Sequence, residues 1–282
     1  MFEKNLLAGR GILITGGGTG LGRSMALRFA ELGAKLHLAG RREQPLRETC
    51  EAIRAAGGQA TYSTCDVRDF AAVERMVEEA ENATGGLDTL VNNAAGNFIA
   101  RTERISPNAF NAVVGIVLYG TFHCTLALGR KWIAAGRGGN VLNIVTTYAA
   151  VGSGSGFVVP SACAKAGVLV LTRSLAVEWA KHRIRLNAIA PGPFPTEGAW
   201  SRLMPTAEYE ARAKDHHPMK RFGRHDELAN LAAYLLAPQA EYVNGECVVI
   251  DGGQWLRGAG EFNDLVELPE PVWRMLEEAR KK

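Results

Sequence analysis

Disulfide and zinc frameworks are missing from this chain. Its 282 residues hold five cysteines, Cys50, Cys65, Cys124, Cys163 and Cys247. The number is odd, the spread is wide, and no pair has metal-ligand spacing, so reduced thiols are expected and no metal site is. The charge excess is only +3, too small to argue for nucleic acid or a membrane surface as partner. No uninterrupted apolar run reaches the roughly 18 residues expected of a membrane span. Low-complexity segments and short-period repeats are absent. The start, MFEKNLLAGRGILITGG, has only short apolar runs and leads straight into a strand. It does not read as a signal peptide, and a cytoplasmic location is the expectation. What remains is a chain 47% hydrophobic and 22% charged. That suits one large α/β domain, although the size rule also permits two.

The most informative stretch is 141–167, VLNIVTTYAAVGSGSGFVVPSACAKAG. It reads as a buried strand, a Gly/Ser loop and the start of a helix, the way a parallel sheet presents side chains at its ligand edge. Thr147, Tyr148, Ser161 and Lys165 are its candidates for proton chemistry. Ser161 and Lys165 are four apart and share a helix face.

A cofactor is argued from the N-terminal half. The apolar run Gly11–Thr15 leads into Thr15-Gly16-Gly17-Gly18-Thr19-Gly20-Leu21-Gly22 and then a helical pattern. Such a turn between strand and helix lets the backbone approach a pyrophosphate at the helix N-terminus. The second strand ends in Gly40-Arg41-Arg42, with no acid to accept from a ribose 2′-hydroxyl. Arg41 suits a 2′-phosphate, so NADP(H) is expected; the alternative is a solvated loop. Asp66, after the third strand, could accept from the adenine amino group or cap the following helix. The fourth strand ends in Asn92-Asn93-Ala94-Ala95-Gly96-Asn97-Phe98, where small residues let a cofactor lie close and Asn side chains such as Asn93 can fix loop backbone.

Together, TGGGTGLG, the NNAAG run, the strand–loop–helix with Lys165 and the later PGP resemble the short-chain dehydrogenase/reductase family over about residues 7–253. The resemblance implies one doubly wound Rossmann-type α/β domain over 1–282, a seven-stranded parallel sheet and a homotetramer. It also implies that Pro191, Gly192, Pro193 and Phe194 lie against the nicotinamide. One departure stands out. The family's usual acid, a Tyr four before the Lys, is here Ser161, and its usual Ser, thirteen earlier, is here Tyr148. The two hydroxyls look exchanged. A phenol titrates near pH 10 and an aliphatic hydroxyl far higher, so Ser161 is a poor proton donor.

This exchange is similar to that of a subgroup, the mitochondrial-type 2,4-dienoyl-CoA reductases. NNAAGNFI, TERISPNAF, GSGFVVPSACAKAG, PGPFPTEGAWSRL and GEFNDL resemble it too. The likeness implies NADPH-dependent reduction of an acyl-CoA in the oxidation of unsaturated fatty acids. Tyr148 and Asn97 would bond the thioester oxygen, and Arg68, Phe98, Ser106 and Arg202 would contact the acyl-CoA. The family's catalytic helix Asn falls on Val117, so Asn97 is expected to supply the polar contact to substrate. Ser106 also reads as the cap of a long helix Pro107–Gly129, and Tyr119 as core. Residues 195–221 read as a basic substrate lid. The 254–282 extension would cover a neighbouring subunit or the acyl pocket. The rival readings are a carbonyl or 3-oxoacyl reductase and a non-catalytic NADP-binding protein.

Overall fold

A computed structural model describes residues 3–150, 153–196, 200, 206–260 and 262–280. Strand β1 (Gly11–Thr15) is buried at every position. The reason is alternation: Ile12 and Ile14 face one apolar cluster and Leu13 the other. A strand covered on both faces must be apolar throughout. Helix α1 (Gly20–Glu31), β2 (Lys35–Gly40), α2 (Glu43–Ala55), β3 (Gln59–Thr64), α3 (Phe70–Thr84) and β4 (Thr89–Asn92) come after it. Next come α4 (Pro107–Val114), a wide turn of π type (Gly115–Tyr119) and α5 (Gly120–Ala134). The chain continues through β5 (Gly139–Ile144), the single turn α6 (Thr147–Ala150), α7 (Val159–Glu178) and β6 (Ile184–Pro191). It ends with α8 (Ala207–His216), α9 (His225–Leu236), β7 (Cys247–Ile250), α10 (Gln254–Ala259) and α11 (Glu270–Ala279).

All seven strands are parallel, in the order β3-β2-β1-β4-β5-β6-β7. The order reverses between β1 and β4, and the carboxyl ends of that pair form the crevice where such sheets bind ligands. Phe29, Leu46 and Leu228 pack on one face of the sheet; Val77, Leu128 and Trp132 pack on the other.

The expected Pro107–Gly129 helix runs on to Ala134 and is not regular. A π turn inserts an extra residue and rotates the helix beyond it. Tyr119, expected in the core, is 57% exposed at that turn, whereas Val117 is fully buried. The whole helix is long and apolar enough to cross a membrane, but half of its apolar window is buried in the fold. It serves here as a core helix. Ser106 caps it by accepting from Ala109 N at 3.2 Å. Ser106→Ala should therefore lower unfolding stability by about 1 kcal/mol, measured in urea. A rise in the KM for acyl-CoA without that loss would assign Ser106 to substrate instead.

Candidate active site

The Gly-rich turn is fastened from beneath. Thr15 Oγ1 accepts from the backbone N–H of both Asn93 and Ala94, at 3.0 and 3.1 Å. The Asn93 amide donates to the carbonyls of Thr15 and Gly16 at 3.1 and 3.2 Å. Asn93 thus holds the loop rather than reaching outward. Gly16 has φ +67, and a Cβ there would stand 2.9 Å from that amide, so a side chain would break the fastening.

Gly16, Gly18 and Thr19 line a cavity of about 430 Å³ together with Arg41, Arg42 and Asp66. Gly18 lies so close to α2 that a Cβ would sit 2.9 Å from its backbone. Thr19 heads α1 without a side-chain cap, leaving the helix's first N–H groups open toward an anion. Amides at one end and two guanidinium groups at the other suit a nucleotide diphosphate with a further phosphate on its ribose. Leu21 and Gly17 face inward, Leu21 packing on the core and Gly17 lying over Leu38.

Asp66 does not cap α3; Asp69 does, accepting from Ala72 N at 3.2 Å. Asp66 pairs with Arg68, with Oδ2 to Nη2 at 2.5 Å. That hydrogen-bonded guanidinium holds the Asp66 carboxyl below its usual range. Arg68, expected on the acyl-CoA, is therefore engaged at the nucleotide cavity's edge.

The second cavity, about 1090 Å³, contains Asn97, Tyr148, Pro191, Gly192 and Pro193. Tyr148, on the short turn α6, puts its Oη 3.2 Å from Ser161 Oγ. Ser161 and Lys165 stand one turn apart on the buried face of α7, 4% and 8% exposed. Lys165 Nζ donates to the Ile144 carbonyl at the end of β5. Burial lowers its ammonium to about 8. Asn97 Oδ1 accepts from Phe98 N at 2.9 Å. That bond fixes the amide's orientation and turns its NH₂ into the available donor. Ala100 N donates to Phe157 O at 2.9 Å, tying the loop of Asn97 to the segment that comes after Tyr148. The structure brings Tyr148, Ser161, Lys165 and Asn97 to one sheet edge.

Other residues expected at the site are partly committed to packing. The ring of Phe194 is buried, so only its backbone can face a cofactor. Phe98 packs against the cluster of Val113, Val117 and Val145. Arg202 and part of the 195–221 segment lie outside the described residues. Part of the basic character read there is paired: Lys220 with Asp215, and Arg221, together with the nearby Arg224, with Glu227.

Sequence reasoning missed Arg212 and His216 on α8 and Trp255 and Arg257 on α10, which line the large cavity. Arg257 is buried, and donates to the His216 carbonyl and to Glu267. The extension beyond residue 254 therefore contributes wall to its own chain's cavity. The available signal was position: α10 succeeds the carboxyl end of β7, at the same sheet edge as the other loops.

Comparison with known proteins agrees with this geometry. The family profile described as Enoyl-(Acyl carrier protein) reductase matches residues 16–254. A Bacillus subtilis protein named "Probable 2,4-dienoyl-CoA reductase", (2E)-enoyl-CoA-producing, is 48% identical over 88% of this chain and 97% of that protein. A Caenorhabditis elegans protein named "Probable 2,4-dienoyl-CoA reductase 3", (3E)-enoyl-CoA-producing, is 42% identical over 90% of this chain and 83% of its own length. A crystal structure of a short chain dehydrogenase from Bacillus anthracis superposes with a TM-score of 0.80 at 42% identity, covering 88% of this chain and 97% of that one.

Proposed function

Because this chain belongs to the short-chain dehydrogenase/reductase family, whose members are oxidoreductases using a nicotinamide cofactor, we propose that it reduces 2,4-dienoyl-CoA thioesters with NADPH. The observation that carries the reading is the pair of donors at the large cavity. A phenol stands beside a serine in the customary acid position, and an amide is oriented by its own loop to donate. Such a pair suits charge developing on a thioester oxygen better than proton delivery to an alkoxide. The cofactor-binding set is Thr15 to Leu21, Arg41, Asp66, Asn93, Lys165 and Pro191 to Phe194.

When bound, NADPH supplies a hydride to the far end of the conjugated diene. Negative charge then spreads over the substrate to its thioester oxygen. Tyr148 and Asn97 donate hydrogen bonds to that oxygen. Lys165 adds positive charge below it and holds the nicotinamide ribose, and Ser161 orients the phenol. Water or Tyr148 returns a proton to carbon, giving a 3-enoyl thioester. The names of the two relatives above fall on both sides of that product choice, so chromatography of the product enoyl-CoA decides it. The wider reading includes a role in oxidation of unsaturated fatty acids and a homotetramer, whose contacts would include the exposed Tyr119, Phe122, Val170 and Val177.

The test is purified protein with NADPH and 2,4-hexadienoyl-CoA, monitored by absorbance. Steady oxidation of NADPH is expected. No turnover, alongside brisk reduction of a simple ketone or 3-oxoacyl thioester, rejects the reading. A pH profile gives a second check. Lys165 titrates near 8, so its charged fraction is high at pH 7 and falls above pH 8. Since kcat/KM reports the free enzyme, its alkaline limb should bend near pH 8. A profile flat to pH 9.5 would remove the lysine's charge from the mechanism.

A further inference from the structure

His225, the first residue of α9, has both ring nitrogens engaged by segments of the cofactor site. Nδ1 lies 2.8 Å from Ser24 Oγ, one turn into α1. Nε2 lies 2.6 Å from the carbonyl oxygen of Pro195. A carbonyl only accepts, so Nε2 carries a proton and donates to Pro195. In the neutral ring, Nδ1 can then only accept, and the single Ser24 hydroxyl proton is divided between Nδ1 at 2.8 Å and the Gly20 carbonyl at 3.1 Å, the imidazole being the nearer acceptor. The two segments also touch directly. Gly20 has φ +53, and a Cβ there would stand 3.2 Å from Thr196 Cγ2. The turn that faces the diphosphate and the loop that faces the nicotinamide therefore meet at one seam, and the imidazole spans it. The packing of α1 on α9 does not depend on this bridge. Phe29, Leu228, Ala229 and Ala232 are buried in the same cluster. Arg28 Nε also donates to Asn230 Oδ1 at 2.8 Å.

We propose that His225 is a positioning residue for the nicotinamide half of the cofactor, locking the loop from Pro193 to Thr196 against the Gly-rich turn. The inference rests on reading that loop as the nicotinamide seat, and is independent of the acyl substrate. It makes two ligands diagnostic. NADPH spans both sides of the seam. The fragment 2′,5′-ADP reaches only the adenosine side, near Arg41 and Arg42.

The experiment is nucleotide binding to the purified full chain, by NADPH fluorescence and by calorimetry with 2′,5′-ADP, with no thioester present. His225→Ala loses two hydrogen bonds, so the NADPH dissociation constant should rise roughly ten- to thirtyfold, with that of 2′,5′-ADP unchanged. His225→Gln, whose amide can donate to Pro195 and accept from Ser24, should recover most of the loss. Ser24→Ala should show a smaller loss that does not add to that of His225→Ala, since the two remove a shared bond. NADPH affinity within twofold of the unsubstituted protein, equal losses for both nucleotides, or no recovery with Gln would each overturn the proposal. If His225→Ala fails to fold by thermal melt, Ser24→Ala decides: unchanged NADPH affinity overturns the bridge. Protein that binds NADPH through this seam but reduces no dienoyl thioester would leave the inference standing while the proposed substrate fell.

Discussion

Tyr148→Phe should lower kcat by roughly 10²- to 10³-fold, the effect of removing one oxyanion donor in a preorganised site, while NADPH binds as before. The ring stays and only the hydroxyl goes, so packing of the α6 turn is preserved. Ser161 Oγ, 3.2 Å from the lost oxygen, remains. It is too weak an acid to take over, and it sits 4% exposed on α7. Lys165 keeps its bond to the Ile144 carbonyl, which is why cofactor affinity should hold. Stopped-flow single turnovers with hexadienoyl-CoA separate the chemical step from binding. If the chemical rate were unchanged and NADPH affinity fell, the phenol would be a structural support and the oxyanion role would be lost.

The double variant Arg41→Ala, Arg42→Ala should weaken NADPH binding by about 1.5–3 kcal/mol, roughly 10- to 100-fold, if the charged bonds to a 2′-phosphate are lost. NADH, which has no such phosphate, should bind the variant as it binds the parent. The sign comes from the site: both guanidinium groups line the nucleotide cavity, and the strand before them, β2, ends in Gly40 without a carboxylate. Neither arginine forms an ion pair among the described residues, in contrast to Arg68. Equal losses for both cofactors would mean that the pair only shapes the loop, and NAD would return as a candidate.

Much of this arrangement was legible in the residues. The Gly-rich turn between two apolar strands marked the lining of one cavity, and the exchange of Ser161 and Tyr148 marked two hydroxyls that the fold brings to 3.2 Å. Both signals are local, and local signals survive without coordinates. The failures were of pairing and of local helix geometry. The segment with Lys220 and Arg221 read as a basic lid because their acidic partners, Asp215 and Glu227, could not be assigned to them by spacing alone. Tyr119 read as core because its sequence neighbours are apolar, but the helix widens across Gly115–Tyr119. Arg257 carried no motif at all; its place in the cavity wall depends on how three distant segments fold over one another. Asp66 read as a possible cap of α3, but the bond from Ala72 N goes to Asp69 instead.

Arg257 also ties the far end of the chain to the wall of the large cavity. Its guanidinium joins the end of α8 and the acid of Glu267, so the C-terminal segment is anchored to the same cavity wall that carries Arg212 and His216. An affinity tag fused to the C-terminus would then load that wall without touching Tyr148, Ser161 or Lys165.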